Sequence, residues 1–159
     1  MTRTPVPPTP TPTVTLTPSI TPSLTPIPSI TPTPASFTIS ENEFFSALVV
    51  ARQGFPDIIT IVPDFVDAGI TMTIAVSDGT VGNVRVSITQ GQSFVTFNFT
   101  SFTVNGAVAS ASYMNIINRD LPTILTTALD NLVIAHFGSL VNVQAISIIG
   151  DIMYVNTIP

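Results

Sequence analysis

A break in composition near residue 35 constrains this chain more than any motif it carries. Residues 1–34 hold 11 of the 15 prolines, with 11 Thr and 3 Ser. A tetrapeptide recurs through Thr15-Leu16-Thr17-Pro18, Ser19-Ile20-Thr21-Pro22, Ser23-Leu24-Thr25-Pro26 and Ser29-Ile30-Thr31-Pro32. Proline at this density removes amide donors and disfavours helix at each preceding residue. Such a segment cannot build a packed core, and polyproline II is its natural conformer. At ~3.1 Å per residue it reaches roughly 105 Å as a semi-rigid spacer. Residues 1–35 therefore read as a disordered Thr/Pro stalk or a passive linker, with O-glycosylation on its threonines as one use. Residues 36–159 read as a single globular domain of ~125 residues, enough to bury a core.

Charge narrows the function classes. The chain has 4 basic and 9 acidic residues, and its formal net charge is −5. All the basic residues are arginines: Arg3, Arg52, Arg85 and Arg119. Nucleic-acid binding needs clustered positive charge, so no nucleic-acid partner is expected. The absence of cysteine excludes disulfides, zinc–thiolate centres, iron–sulfur clusters and thiol nucleophiles. A single histidine excludes a multi-histidine metal site. No metal or cofactor is expected. A Thr/Pro stalk without an apolar leader after Met1, on a chain free of Cys and Lys, suggests a fragment or misassigned start of a longer extracytoplasmic or cell-surface bacterial protein.

Periodicity gives the elements. Ser40 and Glu43 form a capping box, with Ile39 and Phe44 as its hydrophobic staple. The stripe Phe44, Phe45, Leu48, Val49 predicts a helix over 41–53, stopped at Gly54. Four strands follow. The first is Ile58–Val62, closed by Pro63; the second has Ile70, Met72, Ile74 and Val76 in alternation. Val84, Val86 and Ile88 mark the third, and Val95, Phe97 and Phe99 the fourth, whose phase flips at Phe102 and Val104. That flip predicts a bulge near Ser101. Short turns at Asp78-Gly79 and Gly91 imply antiparallel pairing, and Asn105-Gly106 ends the meander. A long helical stripe runs from Tyr113 to His136 in constant phase through Pro122. This favours one kinked helix, although Asp120 is placed to cap a separate second one. Gly138 stops it, and strands near 141–149 and 152–157 flank the turn Gly150-Asp151. The sum is an α+β domain: an antiparallel four-strand meander plus a C-terminal hairpin, packed against a short and a long helix.

Residues 131–150 carry no formal charge, which raises a membrane span. Asn131, His136, Asn142, Gln144 and Ser147 interrupt that run, and the period changes at Gly138, so no transmembrane span is expected.

Few residues point to chemistry. His136 lies on the apolar stripe near a helix end, where a structural histidine fits the dipole, and no nucleophile-elbow motif accompanies it. Asp64 and Asp67 lack calcium-loop spacing and read as a solvated turn. Glu41 and Glu43 are explained by capping. Gly79 and Gly82 lack the strand–loop–helix setting of a phosphate cradle. Asn98-Phe99-Thr100 is a sequon placed within a strand, and Arg85 and Arg119 read as surface charges. No enzyme is expected. Apolar volume is plentiful, in Phe94, Phe102, Tyr113 and Phe137 as well as the residues named next, and reads either as plain core or as a greasy groove between long helix and sheet. Met72, Val95, Phe97, Phe99, Ile117, Leu121, Leu125, Leu129 and Leu132 are the candidate lining of that groove.

The run Ile39–Leu48 resembles the opening helix of small bacterial extracytoplasmic lipid-binding modules related to the tubular lipid-binding superfamily. The meander, the lead-in Phe102–Val108, the long helix Tyr113–Phe137 and the closing pair Val143–Ile149 and Ile152–Val155 follow their order. Ala109-Ser110 stands where such modules often carry proline. The resemblance implies a non-enzymatic domain that holds an acyl chain. Binding of a lipid or another apolar molecule is thus the leading expectation. The alternative is a structural or adhesive surface module with a closed core and a protein or glycan partner.

Overall fold

The computed structural model describes residues 35–67, 69–90 and 95–158. The Thr/Pro segment, the turn at Gly91 and the ring of Phe94 lie outside these residues. The domain is α+β, with antiparallel strands in two sheets: β1 (Ala35–Ser40), β8 (Ile152–Ile158) and β7 (Asn142–Ile149) form one, in that order. The other runs β2 (Ile58–Val66), β3 (Gly69–Val76), β4 (Val81–Gln90), β5 (Val95–Val104), β6 (Ala107–Val108). Helices α1 (Glu41–Ala51) and α2 (Ala111–Phe137) pack on one another, α1 also on β2 and α2 also on β5.

The capping box forms as the sequence demands. Glu43 N–H donates to Ser40 Oγ at 3.3 Å, and Ser40 N–H donates to Glu43 Oε2 at 2.8 Å. Ile39 and Phe44 are both buried. The helix end differs from expectation. Arg52–Gly54 tighten into a 3-10 turn after Ala51, and Gly54 is not in the left-handed region. Gly138 is, with φ 74°, and its N–H donates to Ile134 O at 2.8 Å.

Pro63 does not close its strand; β2 continues to Val66, with Pro63 paired to Met72. The reason is position. β2 is the outermost strand of its sheet, where a missing amide interrupts no ladder on the free side. The bulge appears at its expected place. Val84 pairs with Phe102 and Val86 with Phe99, so Thr100 and Ser101 together oppose Arg85. This turns Phe97, Phe99 and Phe102 toward the same side despite the phase flip. β1 was not expected, and it completes the C-terminal hairpin through six register pairs.

α2 is one continuous helix with Pro122 inside it. Asp120 caps nothing; it lies within the helix, 4% exposed, and accepts from Arg119 Nε and Nη2 at 2.6 Å each. Arg119 also pairs with Asp57, ahead of β2, and these partners raise its pKa further. At the helix start, Tyr113 O–H donates to Asp78 Oδ2 at 2.6 Å and its oxygen accepts from Thr80 Oγ1 at 3.0 Å. α2 is thereby tied to the β3–β4 turn.

Two outcomes test this account. A Cβ on Gly82 would lie 2.5 Å from the ring of Phe102 and 2.6 Å from Thr103 O. Phe102 is fully buried, so Gly82→Ala should cost about 1–3 kcal/mol by urea denaturation. Hydrogen bonds from Tyr113 and Thr80 hold the Asp78 pKa below its ordinary 3.8, and those from Ser40 hold Glu43 below 4.5. A carboxylate depressed by folding adds stability above its ordinary pKa and loses it as pH falls through the folded value. The melting temperature should therefore drop on acidification below pH 4.5, and Tyr113→Phe should flatten part of that drop.

Candidate functional site

The apolar residues expected to line a groove converge, but as core. Met72 on β3 and Ile117, Leu121 and Leu125 on α2 have no exposed surface. Leu129 and Phe97 are 5% and 8% exposed. Val95, Phe99 and Leu132 are partly buried and pack against the same cluster. Side chains fill the space between α2 and the five-stranded sheet at these positions. Apolar volume alone does not separate a groove from a core; the distinction lies in whether opposing side chains meet.

Of the nine, Leu132 lines a cavity between the helices. A furrow of about 460 Å³ runs between α1 and α2, lined by Asn42, Glu43, Ser46, Ala47, Val50, Asn131 and Leu132. A cleft of about 210 Å³ shares Glu43 and Leu132 with it and adds Phe37, Thr38, Ile39, Ala135 and His136. His136 stacks on Phe37 with ring centroids 4.6 Å apart, and Phe137 meets it edge-on at 4.7 Å. The imidazole thus packs between two rings, in a cleft that Glu43 also lines. A third cavity of about 310 Å³ separates the sheets, where Gln90 Nε2 donates to Ile146 O at 2.7 Å.

The remaining polar candidates are spoken for by structure. Glu41 Oε2 accepts the Phe65 N–H at 2.8 Å, fixing α1 to β2. Asp64 and Asp67 do not come together with a third ligand; among the described residues no group of three or more His, Cys, Asp or Glu is placed to hold a metal. Arg119 is held by Asp57 and Asp120, while Arg85 is exposed on the outer face of the large sheet. Asn98 is exposed beside it and donates to Thr89 Oγ1 at 2.7 Å. Burial raises the pKa of Asp130.

One surface was missed by sequence reasoning. The outward face of the three-stranded sheet forms a grid set by its register. Thr38, Tyr154 and Ser147 make the middle row. Ser36, Asn156 and Ala145 lie on one side of it, and Ser40, Ile152 and Ile149 on the other. No residue of the grid is charged. Tyr154, Ile152 and Ile149 are 38%, 40% and 66% exposed, and they adjoin. The signal for β1 was legible as the alternation Ser36-Phe37-Thr38-Ile39-Ser40. The grid itself was not, because it depends on which strands become neighbours.

No helix among the described residues is long and apolar enough to cross a membrane. No family model, curated protein or solved structure matches the chain.

The core assignment has a direct check. Leu125→Ala should destabilise the domain by about 2–5 kcal/mol, as a buried leucine does. Leu132→Ala, at the furrow, should cost clearly less in the same urea titration.

Proposed function

We propose that this chain is a non-catalytic surface module, acting outside the cell, that docks a partner through the outward face of its three-stranded sheet. One observation carries the reading: an uncharged β-sheet face with adjoining exposed Tyr154, Ile152 and Ile149, above a core closed by Met153 and Val155 on the same strand. Tyrosine is among the usual anchors of recognition, and adjoining exposed apolar side chains mark interaction surfaces. The inner face of the same strands is occupied, so a partner that docks on this sheet meets the outer one. The Thr/Pro segment directly precedes β1 in sequence and would serve as the spacer on which the module is displayed.

A second reading keeps the resemblance to lipid-binding modules. The 460 Å³ furrow supports it, since Ala47, Val50 and Leu132 give an apolar floor between two helices. An acyl chain there would gain ~0.8 kcal/mol per buried methylene. It would lie on the surface of the helices rather than between helix and sheet.

Binding of the full chain to intact bacterial cells, followed through a dye on an introduced cysteine, separates the two. Tyr154→Ala and Ile149→Asp should each weaken binding about tenfold, the loss of one good anchor, while Leu132→Asp leaves it unchanged. Equal binding by all variants overturns the docking face. Loss with Leu132→Asp alone, together with lipid mass retained in native mass spectrometry, establishes the second reading instead.

A further inference from the structure

Resting on the docking-face reading, we infer that the partner is a neutral glycan, stacked on the ring of Tyr154. Three features of the face select this chemistry. The first is composition. Tyr154 sits at the centre, on the middle strand, with Thr38 and Ser147 beside it and Asn156 next along the strand. A tyrosine ring offers an apolar face to the C–H side of a sugar, and its phenol stays wet. Hydroxyl and amide groups around it can both donate to and accept from sugar hydroxyls.

The second feature is charge. The grid carries none; a carboxylate stands at one corner, where Ser40 Oγ–H donates to Glu43 Oε2 at 2.6 Å, and Asp151 is exposed in the turn that joins Ile149 to Ile152. With a net charge of −5, the chain repels a polyanionic saccharide and leaves a neutral one unopposed.

The third is size. Three strands about 4.8 Å apart and three rows about 6.8 Å apart cover roughly 300 Å² with their side chains. A stable protein interface needs about 800 Å² from each partner, more than this face supplies. A short oligosaccharide fits it.

The test uses the full chain, labelled with ¹⁵N and titrated with cellohexaose, chitohexaose, mannohexaose and polygalacturonate. Saturable amide shifts confined to the outward face of β1, β8 and β7, centred on Thr38, Ser147, Tyr154 and Asn156, with at least one neutral hexasaccharide, and none with polygalacturonate, are expected. Tyr154→Phe should retain the affinity and Tyr154→Ala should lose about tenfold, with the rest of the spectrum unchanged as a control for folding. Cells treated with periodate, which cleaves vicinal diols, should lose binding. Shifts elsewhere in the domain, or an unchanged affinity in Tyr154→Ala, overturn the inference. So does cell binding that depends on Tyr154 but survives periodate and is abolished by protease; that outcome leaves the docking face intact and names a protein as its partner. Cell binding indifferent to Tyr154 and Ile149 overturns the docking face itself.

Discussion

The domain depends on the burial of one face of α2. Ile117, Leu121, Ile124, Leu125, Leu129 and Val133 are buried along it, and Ala128 lets α2 approach its neighbours. At about 1.5–3 kcal/mol for each large side chain, six of them contribute a gross 9–18 kcal/mol, an upper estimate because denatured chains already bury some surface. A proline inside a helix costs about 3 kcal/mol. That comparison is why Pro122 interrupts neither the helix nor its apolar stripe. Polar and aromatic contacts then fix the helix along its length: Tyr113 to Asp78 at the start, Arg119 to Asp57 a turn and a half later, and His136 stacked on Phe37 at the end. Each joins α2 to a different part of the chain, so the helix aligns both sheets.

The unusual composition follows from the outer surfaces. Mean hydropathy is +0.55, yet no helix among the described residues is long and apolar enough to cross a membrane. The large sheet covers its solvent face with Thr, Asn and Ser in place of Lys and Glu. Thr73 Oγ1 donates to Asn83 Oδ1 at 2.9 Å, Thr100 Oγ1 to Arg85 O at 3.0 Å, and Asn98 Nδ2 to Thr89 Oγ1 at 2.7 Å. These side chains are satisfied across strands, by one another or by a backbone carbonyl, which suits β structure and needs no counter-charge. A hydropathy average does not distinguish such a surface from a lipid-facing one.

What the sequence disclosed was local. The capping box at Ser40 and Glu43, the bulge near Ser101 and the left-handed stop at Gly138 each depend on residues within a few positions, and each is present. What it withheld was pairing at a distance. β1 joins β8 across more than a hundred residues, and only that pairing brings Thr38 beside Tyr154. Pro63 looked like a terminator because its strand's place at the sheet edge is also a long-range fact. The nine apolar candidates lie in or against one cluster, but whether such residues enclose a void depends on side-chain volumes meeting in three dimensions.

The register of β1 has a mechanical consequence. Ala35, the first residue of the strand, faces Thr157, whose Oγ1 donates to the Ala35 carbonyl at 3.0 Å. On the proposed docking reading, a partner gripped at Tyr154 would hold β8, whereas tension along the preceding chain would enter at Ala35 on β1. Pull along the strand axis then loads the β1–β8 ladder in shear, with its backbone hydrogen bonds strained together instead of peeled one at a time. Anchorage at the centre of the sheet rather than at its tip would make the grip outlast forces that would unzip a hairpin loaded at its open end.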